Sequence, residues 1–168
     1  MITLCINLST ILILTLMTYQ DIKYRAITWY AFPLLAVSLF VLNKNLTTIE
    51  VIINIGFVAF NYISATLMVS IRHGRLINLL NAHIGPGDIL LLVSVAFYFT
   101  PIDFFAFYLS SLLLIALGAG VYSRLQKPKH FTVPLAGLQS AFLGCLILMS
   151  LTIGITFNNL SWLNRYLQ

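Results

Sequence analysis

The chain has 168 residues, 60% of them hydrophobic and only 8% charged, with mean hydropathy +0.99 and a formal charge of +5. Soluble domains are roughly a quarter charged, and so short a chain cannot hide this much apolar surface from water. A soluble fold is therefore excluded, and the class is an all-α polytopic membrane protein. The nine Lys and Arg are spread over short connecting segments, where they read as topology signals and not as a nucleic-acid surface.

A first span covers residues 2–20, nearly continuous Leu, Ile and Thr. It is long enough to cross roughly 30 Å of hydrocarbon at about 1.5 Å per residue. It lacks a basic leading segment and an A-x-A-like site, so it reads as a retained span and not as a cleaved signal peptide. It ends in the polar segment Tyr19-Gln20-Asp21-Ile22-Lys23-Tyr24-Arg25. A second, short span starts near Ile27 or Trp29 and runs to Leu42, with Pro33 near its start, where the missing N–H is best tolerated. The third covers residues 51–71 and is closed by Arg72-His73-Gly74-Arg75. The mixed connection over residues 76–86 reads as a short helix lying on the membrane surface.

The fourth span opens at Asp88 and ends near Thr100-Pro101. It too is short, which implies local bilayer thinning or an aspartate drawn inward from the headgroups. Asp103 is expected in a tight turn after it. A fifth span covers residues 104–122 and is followed by the basic loop of Arg124, Lys127, Lys129 and His130. A sixth covers residues 133–157, and Trp162, Arg165 and Tyr166 supply an interfacial anchor.

The loops after spans one, three and five carry seven Lys and Arg, the opposite side two, Lys44 and Arg165. The positive-inside bias then predicts six transmembrane helices with both termini outside. It puts Asp21 and Asp88 on the cytoplasmic side, and Glu50 and Asp103 on the far side. The whole chain, residues 1–168, reads as a single membrane-embedded domain.

These four are the only acidic residues. Ionisable groups at membrane depth are costly and are functional candidates by default. Asp88 stands behind Gly85-Pro86-Gly87 at the mouth of an apolar run; Asp21 closes the first span. Two facing carboxylates can share one proton, so that the ionised acid activates water while the protonated one polarises a carbonyl and donates to the leaving amine. Gly85 and Gly87 would permit unusual backbone angles and close approach of an extended substrate.

Other readings of the same residues stand beside this one. Asp88 also fits a plain first-turn acid after a Gly-Pro-Gly turn, and Asp21 an interfacial acid paired with Lys23 or Arg25. A small proton- or cation-coupled transporter, or a non-catalytic membrane subunit, could use the acids as ion ligands at broken spans. Cys5 and Cys145 form no C-x-x-C pair and read as buried thiols. His73, His83 and His130 lack metal-ligand spacing, so neither metal nor cofactor is expected. Asn54 and Asn61 read as interhelical hydrogen-bonding groups.

Gly85-Pro86-Gly87-Asp88 followed by Leu91-Leu92 resembles the G-x-G-D segment of the type IV prepilin peptidases, which are intramembrane aspartic peptidases. Asp21-Ile22-Lys23-Tyr24-Arg25-Ala26-Ile27 resembles that family's first-aspartate segment, and Phe131-Thr132-Val133-Pro134-Leu135-Ala136 the segment opening its last span. The resemblance implies that Asp21 and Asp88 are a catalytic pair, with Gly85, Gly87, Lys23 and Arg25 as supporting residues; Lys23 and Arg25 either orient Asp21 or, as is favoured here, face lipid headgroups. It implies an aspartic endopeptidase in the inner membrane of a prokaryote. Its substrates would be pilin-like precursors whose short basic leader is removed at the cytoplasmic face. The chain departs from the family pattern in having Leu90 where many members carry Lys, and Thr28-Trp29 where many carry Pro-Asn. It also lacks the Cys-x-x-Cys insertion of bifunctional members, so N-methylation of the product is not expected.

Overall fold

The computed structural model describes residues 2–73, 85–126 and 134–153. The expected surface helix after Arg75, the distal part of the basic loop and the C-terminal anchor lie outside the described residues. The described residues form six helices: α1 (Ile2–Tyr24), α2 (Ala31–Leu42), α3 (Thr48–His73), α4 (Pro86–Val95), α5 (Pro101–Gln126) and α6 (Leu135–Ile153). Among the described residues four of these, α1, α3, α5 and α6, are long and apolar enough to cross a membrane. The protein is an all-α polytopic membrane protein. Helices α2 and α4 have 12 and 10 residues, rising about 18 and 15 Å, near half the hydrocarbon thickness.

Outward faces are apolar, as a lipid contact requires. On α1, Leu4, Leu8, Leu12 and Leu16 recur every fourth residue and are all exposed, while Leu14 and Met17 on the other side are buried. The interior is one cluster joining Leu14 and Met17 to Phe32, Leu35 and Leu39 of α2, Leu91 and Val95 of α4, Phe104 and Phe107 of α5, and Leu143 and Ile147 of α6.

Small residues set the seam between α1 and α6. A Cβ on Gly144 would lie 3.9 Å from Leu14 Cβ. Thr18 Oγ1 and Ser140 Oγ lie 3.0 Å apart across the seam. Small and hydroxylated residues let membrane helices approach closely and hydrogen-bond where lipid offers no partner.

The helix boundaries differ from the expected spans for identifiable reasons. Helix α1 runs on to Tyr24, so Asp21 lies within its last turns and not beyond its end. Helix α5 begins at Pro101, because Thr100 and Asp103 cap it: Thr100 Oγ1 donates to Asp103 Oδ2 at 2.6 Å, and Pro101 takes the first helical position. Asp103 is thus a first-turn helix acid, not a turn residue. Glu50 does the same for α3, its Oε2 accepting the Thr47 N–H at 2.8 Å.

Helix α4 stops at Val95, although the apolar run continues to Phe99. The segment 96–99 turns instead, and two asparagines take its carbonyls. Asn43 Nδ2 donates to Tyr98 O at 2.7 Å, and Asn54 Nδ2 donates to Phe99 O at 2.8 Å and Ala96 O at 3.1 Å. Both side chains are buried. Asn54 therefore joins α3 to the turn, whereas Asn61 bonds within its own helix, to Phe57 O at 2.9 Å.

Replacing Asn54 by Leu removes both donors and strands two buried carbonyls. The expected cost is about 1–3 kcal/mol per carbonyl left unpaired. Denaturant titration of the detergent-solubilised protein should show the Asn54→Leu midpoint well below wild type, with Asn61→Leu much closer to it.

Candidate active site

At the end of the bundle opposite the two asparagines, the last turns of α1 meet the first turns of α2, α4 and α6. The chain reverses after α1 through Arg25, whose N–H bonds to Asp21 O at 3.1 Å and whose φ is +54°. This is the left-handed conformation that terminates many helices, a position usually given to glycine. The segment is then fastened back to α1, because the Thr28 N–H and Thr28 Oγ1 both donate to Gln20 Oε1, at 3.1 and 3.0 Å.

A cavity of about 610 Å³ lies here. Asp21, Arg25 and Trp29 border it on one side, Gly85 to Asp88 and Leu90 on another, and Pro134 to Ala136 on the third. Phe32 of α2 forms part of the wall. Both acids are half-buried, and they are near enough for their charges to act on one another.

Helix α6 supplies what holds them. Its first N–H groups have no partner within the helix and point out of its N-terminus. The Gly137 N–H donates to Asp21 Oδ2 at 2.6 Å. The Asp88 carboxylate is directed at the backbone amide of Ala136, and also at that of Gly85 at the start of its own helix. Two successive amides of one helix end thus receive two carboxylates from two other helices, in the geometry that favours negative charge.

The chain's other two acids each serve their own helix as caps, as described above. Asp21 and Asp88 are distinguished by meeting across the fold, on a cavity. Among the described residues no cluster of three His, Cys, Asp or Glu side chains could hold a metal ion. The described cysteines, Cys5 and Cys145, are both exposed and not buried as expected from their apolar runs, because they lie on outward helix faces. His83 and His130 lie outside the described residues, and the side chain of His73 is not described.

The supporting residues divide. Lys23 does not reach the cavity: its Nζ donates to Tyr19 OH at 2.6 Å and sits over the rings of Tyr19 and Tyr24, all exposed on the outer side of α1. Arg25 does border the cavity. The glycines are not needed for their backbone angles. Gly85 is extended, at φ −67° and ψ 135°, and Gly87 has no positive φ. Their contribution is closeness: a Cβ on Gly85 would lie 3.4 Å from Asp88 Oδ2, and one on Gly87 3.6 Å from the Phe32 ring.

Sequence reasoning missed Gly137, whose N–H donates to Asp21. A glycine inside an apolar helix gives no local signal. The stretch ending at Ala136 pointed to the right segment and stopped one residue short.

A second cavity, of about 490 Å³, runs beside the first along the outer seam of α1 and α6, between Thr15, Tyr19 and Ile22 on one side and Ala141, Cys145 and Leu148 on the other. Comparisons with family models, with curated proteins and with solved structures returned no match.

The left-handed turn at Arg25 has a consequence that thermal unfolding can read. Arg25→Gly and Arg25→Val both remove the guanidinium, but only glycine adopts φ +54° without strain. The glycine variant should be the more stable of the two by about 1–2 kcal/mol; equal stability would show that the turn relaxes freely.

Proposed function

We propose that this protein is an intramembrane aspartic endopeptidase that removes the short basic leader from type IV pilin-like precursors at the cytoplasmic membrane face. The observation that carries the reading is the convergence of Asp21 and Asp88 on one cavity at one end of the bundle. The resemblance of their flanking segments to the prepilin peptidases supports it.

In this mechanism the two acids share one proton, since adjacent carboxylates resist double ionisation. The ionised acid takes a proton from water as the water oxygen bonds to the scissile carbonyl carbon. The protonated acid donates to the carbonyl oxygen. Collapse of the tetrahedral intermediate breaks the C–N bond, and a proton passes to the departing amine. Water, peptide and two acids account for every proton, so no metal or cofactor is required.

The position of the acids favours this reading over ion transport. Both lie at helix ends beside an open cavity, which suits a substrate arriving from one side. Arg25, on the rim, does not favour the bare leader's basic residues close by, so the leader would extend away from it.

The test is cleavage of a pilin-like precursor by the purified protein in lipid, read as a shift in product mass. Asp21→Asn and Asp88→Asn should each lower the rate by about 10³-fold or more, with folding retained. Since activity needs one ionised and one protonated acid, its pH profile should be bell-shaped and belong to the pair as a unit. Cleavage surviving in either Asn variant would end the assignment.

A further inference from the structure

The Gly137 peptide is held from both sides by one face of α1. Its N–H donates to Asp21 Oδ2 at 2.6 Å, and its C=O accepts from Thr18 Oγ1 at 3.1 Å. Thr18 and Asp21 are three residues apart on a helix, so they face the same neighbour. Ser140 Oγ donates to the same Gly137 carbonyl at 2.8 Å. The single Thr18 hydroxyl proton is shared with Leu14 O, at 2.8 Å.

No side chain fits at position 137. A Cβ there would lie 2.9 Å from both Cβ and Oδ2 of Asp21. The Asp21 Cβ is fixed to the α1 backbone, so relief requires the carboxylate or the helices to move. Among the described glycines this is the one whose Cβ would come within 3.0 Å of a neighbour; at Gly56, Gly118 and Gly120 there is open space.

The geometry points to Gly137 as the positioning residue of the acid pair, with Thr18 as its support: the clamped peptide commits one oxygen of Asp21 to a backbone N–H and leaves the other to exchange a proton with water and Asp88. This role rests on the peptidase reading above. It adds to that reading a residue that touches neither water nor substrate and acts only through Asp21.

The experiment uses the full chain in lipid nanodiscs, with Gly137→Ala, Thr18→Val, Thr18→Ser and Gly144→Ala. In precursor cleavage, Gly137→Ala should lower kcat by about 100-fold and Thr18→Val by about tenfold, with KM within about twofold of wild type in both. Thr18→Ser, which keeps the hydroxyl, and Gly144→Ala, which adds a methyl to the same seam away from the acids, should match wild type. A folded Gly137→Ala with wild-type kcat, a loss expressed in KM, or a Thr18→Ser as slow as Thr18→Val would each overturn the proposal. If Gly137→Ala does not fold, Thr18→Val against Thr18→Ser decides it.

A second readout needs no cleavage, and so separates this role from the peptidase reading. A membrane-permeant carbodiimide adds across a protonated carboxyl and rearranges to a stable N-acylurea, which peptide mass mapping assigns to each aspartate. Loss of the Gly137 N–H bond frees the Asp21 oxygen that it occupies and opens it to the reagent. Asp21 should therefore be labelled several-fold faster in Gly137→Ala than in wild type, even if no precursor is cut. Equal labelling of Asp21 in the two proteins would overturn the clamp.

Discussion

A backbone amide or carbonyl in hydrocarbon has no water to turn to, and two of the described helices, α2 and α4, end short of a full crossing. That constraint shapes both ends of the bundle. At one end the broken backbone presents carbonyls, and Asn43 and Asn54 donate to them. At the other end α6 presents amides, and a carboxylate receives the Gly137 N–H while a second faces Ala136. Donor side chains meet free acceptors, and acceptor side chains meet free donors. The difference is that the asparagines are sealed in protein, whereas the aspartates border a cavity.

The same need explains why α1 and α6 are so closely matched. A helix that delivers its N-terminus to a carboxylate on its neighbour must lie within a hydrogen bond of it. Gly137, Ser140 and Gly144 allow that approach, and Thr18 and Ser140 supply hydroxyls that hold it. Packing and polar satisfaction meet at Gly137, since a larger residue there would crowd Asp21 and disturb the hydrogen bond it makes.

Much of this was legible in the sequence. Hydropathy located each of the six described helices, since apolar length is what a membrane demands. It could not locate their ends. Polar residues at the membrane surface do not stop a helix, so α1 outlasts its apolar run. An apolar run does not guarantee a helix either: α4 stops at Val95 because side chains about 40–55 residues earlier in the chain receive its successor's carbonyls, and no local pattern reports that. For the site, the scarcity of acids made Asp21 and Asp88 conspicuous. Their surroundings were less readable. Gly85 and Gly87 suggested unusual backbone angles, yet the unusual angle belongs to Arg25. Gly137 matters through a neighbour 116 residues away, a relation that exists only after folding.

Helix α4 is a ruler of about 15 Å set in a slab of about 30 Å. Its two ends cannot both touch bulk water across an undeformed bilayer. The asparagine end is closed, with Asn43 and Asn54 buried, whereas the acids at the other end border a cavity, so an aqueous path to the acids is most direct from their own side. A bilayer of about 30 Å around so short a helix would thin, or draw its surface inward, above Asp88. The lipid bilayer, thinned or parted at that spot, becomes one of the walls that decide how far a polar chain can descend.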